Sequence, residues 1–278
     1  MPAERIAQNL AFINWTVLTG LAFGSFAAVV LARMRTEATR GFLAFTAALA
    51  VGLGILAWLS DQALPLVGAG SAIQSDPAFD LPRRIFLAAF CVLAAGYVVA
   101  LVRRRRAPLL AAAGLAAAVA TLVCGALAWG GGSLFAIPLL LQLAILAIAT
   151  GGVFAAMILG HWYLVTPKLP EGPLILISRS LLAVVGLQVL LFAVWVSTGA
   201  GPGGGGPFAV LVGPWALFVW LRLIVGLLFP LVVSWAAVQT ARTRSMESAT
   251  GLLYINVGTI AAGTILAAGL YFGAGLLV

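Results

Sequence analysis

The sequence predicts an all-α fold: a polytopic, integral-membrane helical bundle of about eight transmembrane helices forming a single transmembrane domain over residues 1–278. Three observations predict it. Hydrophobic residues make up 63% of the chain and charged residues only 8%, whereas a water-facing surface needs about 25% charged residues. The mean hydropathy is +1.17. The apolar residues come in runs of about 20, the length at which a helix crosses the hydrocarbon layer of a bilayer.

Taken in order, the first span covers 10–31. Residues 1–8 before it are polar, and the run is long enough to remain as a span, so no cleavable leader is expected. Gly20 and Gly24 within it have the spacing that lets two helices approach closely. The second span, 41–59, follows Arg33, Arg35 and Arg40. A polar loop, 60–84, leads to the third span at 85–102, which stops at four arginines, Arg103 to Arg106. Pro108 opens the fourth span, 108–129, at the helix position where a missing N–H costs nothing. The fifth, 137–165, exceeds what a bilayer requires and should tilt or project; Gly151-Gly152 marks a thin spot in it. Pro167 should end it near Thr166, and Pro173 should sit in the first turn of the sixth, 173–196. A glycine-rich loop precedes the seventh span, 214–240. The eighth, 249–277, is introduced by Ser245, Glu247 and Ser248, whose hydroxyls and carboxylate suit a helix N-terminus. The two halves can each be cut into four spans, but their loops and polar positions do not correspond, and no internal repeat is expected.

Orientation follows from the basic residues near span ends. One side gathers Arg33, Arg35, Arg40, Arg103 to Arg106, Lys168, Arg242 and Arg244; the other has Arg5, Arg83 and Arg84 together with Asp61, Asp76 and Asp80. The basic side should be cytoplasmic, with both termini on the non-cytoplasmic side. The net charge of +8 is thus explained by topology, and nucleic acid is not an expected partner. Usage rich in alanine, glycine and arginine with a single lysine fits a high-GC bacterial genome and hence the cell inner membrane.

Candidate functional residues are the ionisable groups inside apolar runs, since these are costly there unless paired or used. His161, the only histidine, and Arg179 flank the turn between the fifth and sixth spans, each roughly 8–9 Å in from the same end. With Trp162 and with Tyr254 of the last span they form a candidate cofactor pocket near the cytoplasmic face. His161 would hydrogen-bond a quinone head group or ligate a haem, and Arg179 would stabilise negative charge. Met157 lies on the same face as His161 and cannot serve as the opposite axial ligand, so a haem would have to be shared with a partner. The bland readings are an interfacial histidine in an aromatic belt and an arginine snorkelling to the surface. Arg222 lies about 12 Å below the outer end of its span, with no acid at matching depth. It would reach Asp61, backbone carbonyls, a partner's carboxylate or an anionic substrate. Asn256, Thr259 and Thr264 would widen the pocket or, more commonly, hydrogen-bond between helices.

Paired intramembrane carboxylates, a Walker lysine motif, His-Glu-x-x-His and a serine elbow are all missing from the sequence, so side-chain catalysis is not expected. The leading expectation is therefore an integral membrane subunit of a multi-subunit respiratory or electron-transfer complex. It would anchor other membrane or peripheral subunits and contribute a quinone, or shared haem, pocket. The alternatives are a permease or flippase for a small anionic or amphiphilic substrate, or a ligand-free assembly protein surrounded by lipid.

Overall fold

The computed structural model describes residues 1–65, 72–166 and 169–278, with the side chains of residues 133 and 134 left aside. The expected roles of Pro167 and Lys168 lie outside the described residues. A short helix, α1 (Pro2–Gln8), precedes α2 (Leu10–Arg35), α3 (Arg40–Gln62), α4 (Asp80–Val102), α5 (Pro108–Trp129), α6 (Ser133–Val165) and α7 (Gly172–Thr198). Then come α8 (Ala216–Leu223), a π-helical turn (Ile224–Leu228), α9 (Phe229–Arg242) and α10 (Met246–Ala274). Helices α8 and α9 with the turn between them form one continuous apolar span, which makes eight helices long and apolar enough to cross a membrane. The chain is a multi-pass membrane protein by length and composition, and α-helix is what such a solvent demands, because it pairs every backbone group within the segment.

Several ends behave as their residues require. Thr39 caps α3 by accepting from the Phe42 N–H, and Pro108 and Pro173 sit in the first turns of α5 and α7. Ser245 does not cap α10: its hydroxyl donates to Ser248 Oγ at 3.0 Å instead. The third span is longer than expected. It starts at Asp80, so Arg83 and Arg84 lie inside a helix and not in a loop.

The helices form two rings of four. In the first, α2, α3, α4 and α5 each pack on their chain neighbours, and α5 returns to α2. In the second, α6, α7, α9 and α10 do the same, with α10 against α6. The rings meet along α2 and α6; α5 also leans on α6, α10 leans on α2, and α3–α6 and α2–α7 touch glancingly. Exchanging the two rings maps each of these neighbour pairs onto another, although α10 packs on α6 far more extensively than α5 does on α2.

The two rings meet through glycine. A Cβ on Gly24 would stand 1.9 Å from the Ala147 carbonyl oxygen, and one on Gly151 2.2 Å from the Ser25 nitrogen. Ser25 Oγ donates across this contact to the Gly151 carbonyl at 3.2 Å. Lipid tails are as apolar as leucine, so helices in a bilayer are held by such close approach and by polar links. Thr150 to Thr264 (2.8 Å) and Asn256 to Ser234 (2.8 Å) supply two more links, the use expected of polar residues in the last span.

A second correspondence lies at the ends of α4 and α9. Arg104 and Arg244 both take a left-handed conformation, with φ of 58° and 60°. The next N–H reaches back five residues in each case, Arg105 to Ala100 at 2.8 Å and Ser245 to Thr240 at 3.0 Å. This is the Schellman closure, built on arginine where glycine is usual.

Candidate functional site

His161, Arg179 and Tyr254 are exposed on the surface of the bundle, and none makes an inter-residue side-chain hydrogen bond or ion pair among the described residues. Trp162 turns elsewhere: it lies over Gly41 of α3, and its ring is 6.1 Å from that of Phe45. Its neighbour Tyr163, which sequence reasoning passed over, is buried and donates to the Pro170 carbonyl, tying the end of α6 to the segment that enters α7.

Each ring buries charge. In the first ring Arg83 is 1% exposed and Asp61 is fully buried. Arg83 Nε and Nη2 donate to the two Asp61 oxygens at 2.7 and 3.2 Å, Arg83 Nη1 donates to Asp80 at 2.7 Å, and Arg84 Nε donates to Asp61 at 2.9 Å. The Arg83 guanidinium also lies 4.6 Å from the Trp129 ring centroid and 6.0 Å from that of Trp15. Two acids and two arginines make a neutral, fully donated cluster. Asp61 is therefore spoken for and is not the partner of Arg222.

In the second ring the buried arginine is Arg222, and it meets Gln188 where Arg83 meets Asp61. Arg222 is 3% exposed. Its Nη2 donates to Gln188 Oε1 at 3.0 Å and its Nη1 to the Gly226 carbonyl at 3.1 Å, while Nε has no partner. Pro230 explains the second bond, since a proline has no N–H to offer the carbonyl four residues before it. Gly226 and Gly263 leave the room: a Cβ on Gly263 would stand 2.7 Å from Arg222 Nη1. No carboxylate side chain lies within ion-pairing distance of Arg222 among the described residues. Gln142, with Gln188 and Arg222, lines a cavity of only about 10 Å³. That is room for about one water. Replacing Gln188 with Glu should recreate the charge pairing of the first ring. The exchange of a neutral for a charge-assisted hydrogen bond is worth about 1–2 kcal/mol, and we expect a higher melting temperature in detergent. An unchanged or lower value would contradict this reading of the Arg222 contacts.

A roomy site lies at the basic end, between α2, α4 and α5. A cavity of about 610 Å³ is lined there by Val30, Met34, Leu101, Ala111, Ala112 and Leu115, with Arg33, Arg105 and Arg106 among its walls. Tyr97 also lines it. That tyrosine is 4% exposed, packs edge-on against Phe26 with centroids 5.5 Å apart, and its hydroxyl has no hydrogen-bond partner among the described residues. None of the three arginines forms an ion pair among the described residues, whereas in the second ring Arg244 stands 3.5 Å from Glu171. The result is an apolar slot with an uncompensated cationic mouth. The sequence showed the arginine run, but positive-inside topology already accounted for it; only the packing reveals that Arg33, 70 residues earlier, joins it.

Comparison with known proteins gives no lead to a family. No protein-family model, curated protein or solved structure matches this chain.

Proposed function

We propose that the protein binds an anionic amphiphile in the cleft between α2, α4 and α5, as a permease or flippase for such molecules. One observation carries this reading: three unpaired arginines at the mouth of a cavity whose walls are otherwise apolar. Guanidinium forks are matched to carboxylate and phosphate oxygens, and the apolar wall suits a tail that would otherwise lie in the bilayer. The positive-inside rule puts this mouth on the cytoplasmic side, in the inner membrane, with both termini opposite. The test is flux of a short-chain fluorescent anionic lipid across proteoliposomes. Joint replacement of Arg33, Arg105 and Arg106 with Gln should lower the rate at least tenfold, about 1.4 kcal/mol. A rate equal to that of the unaltered protein would overturn the proposal.

A second reading is favoured by one other observation: His161, Arg179 and Tyr254 are exposed and lack internal partners. A partner subunit seated there would give the electron-transfer assembly expected from sequence, with a quinone or a haem held between the two chains. An optical spectrum and quinone extraction of the protein purified with its partners test it. A colourless, quinone-free preparation would count against this reading.

A further inference from the structure

We propose that the cleft between α2, α4 and α5 selects lipids whose head group is a phosphate monoester. This rests on the amphiphile reading above and narrows it to a chemical class. Every polar side chain that lines the cleft can donate: Arg33 from α2, Arg105 and Arg106 from the turn after α4, and Tyr97 from within α4. No acid lines the cavity with them. An arginine has five N–H donors and no acceptor, so the complementary ligand is rich in acceptors and carries more than one negative charge. A carboxylate or a phosphodiester brings a single charge. A phosphate monoester brings about −1.5 to −2 near neutral pH, on three acceptor oxygens.

Two further features belong to a built site. The Tyr97 hydroxyl is a donor on a side chain more than nine-tenths buried, and it has no protein partner. That hydroxyl opens to the cavity, where a ligand oxygen can accept from it. The turn carrying Arg105 and Arg106 is also fixed, because Arg104 holds its left-handed conformation while the Arg105 N–H is bonded to Ala100. Below the mouth, Ala111, Ala112 and Leu115 of α5 face Val30 and Met34 of α2 across the cavity. Small side chains there leave a slot in which the first carbons of a tail lie, with the remainder in the bilayer.

The experiment uses the full chain in phosphatidylcholine nanodiscs, titrated with short-chain phosphatidic acid, short-chain phosphatidylglycerol, octanoate and inorganic phosphate. Binding is read by native mass spectrometry. Phosphatidic acid should bind at least tenfold more tightly than phosphatidylglycerol or octanoate, and inorganic phosphate should bind weakest. Tyr97→Phe keeps the ring and removes one donor, so it should lower phosphatidic acid affinity several-fold. Joint replacement of Arg33, Arg105 and Arg106 with Gln should abolish the preference, while Arg40→Gln, an exposed arginine outside the cleft, should not. Equal binding of the two phospholipids, lost together in the triple variant, would overturn the phosphate-monoester proposal and leave the amphiphile reading standing. Binding that the triple variant does not change would overturn both. Inorganic phosphate binding as tightly as the lipid would show a phosphate site that owes nothing to the apolar slot, against a lipid ligand.

Discussion

Replacing Asp61 with Ala is expected to destabilise the protein by about 3–5 kcal/mol, the usual cost of removing one partner of a buried ion pair. The magnitude follows from what is left behind. Arg83 is 1% exposed and loses two of its three charged contacts, and Arg84 loses its only one. Asp80 still holds Arg83 Nη1, and the Trp15 and Trp129 rings remain against the guanidinium. Those partial partners do not restore neutrality, since one carboxylate then faces two arginines. Thermal unfolding in detergent reads the effect, and Asp61→Asn, which keeps the shape and loses the charge, should fall between wild type and Asp61→Ala. Compensation by Arg83→Met in the Asp61→Ala background would confirm that the loss comes from a stranded charge. A melting temperature within a degree or two of wild type for Asp61→Ala would sink the argument.

A side chain at Gly24 or Gly151 is expected to do comparable damage by a steric route. Overpacking a core costs about 1–3 kcal/mol when neighbouring side chains can move. Here the obstacle is backbone: the Ala147 carbonyl stands 1.9 Å from the missing Cβ of Gly24, and Ser25 N and Gly24 C stand 2.2 and 2.5 Å from that of Gly151. Accommodating even a methyl group means moving α2 away from α6 and breaking the Ser25–Gly151 hydrogen bond. Gly24→Val should therefore lose more than Gly52→Val, since Gly52 has nothing within 4 Å of its Cβ position. Comparing the unfolding of the two variants isolates the contact from the general helix effect of replacing glycine. Equal stability of the two would mean that the halves are not held together at this crossing.

Much of this architecture could be read in the residues. The eight spans, the proline-marked starts of α5 and α7, the small-residue spacing at Gly24 and the hydrogen-bonding use of Asn256 and Thr264 follow from composition and spacing. What escaped has a common cause. The two rings share an order of helix neighbours but differ in chemistry: Arg83 meets an aspartate, and Arg222 meets Gln188. A search for similar residues finds nothing there, although the left-handed arginines at 104 and 244 leave a trace after each third span. Arg83 and Arg84 looked like loop charges because a helix start at Asp80 is favourable only when Asp61 waits across the gap. His161 and Arg179 were set near one depth, but depth says nothing about azimuth, and both are exposed on the surface of the bundle. Arg33 and the run at 103–106 needed the fold to bring them together.

The glycine crossing at residues 24 and 151 has a consequence for traffic through the molecule. A pore between the two rings would need two walls standing apart there, yet the main chains are in close contact. On the reading proposed above, an anionic amphiphile would move along the flank, with its oily portion remaining in the bilayer while only the ionic part meets protein. Such a route demands little of the interior beyond rigidity, and it is consistent with a core built from glycine, alanine and a few interlocked hydroxyls.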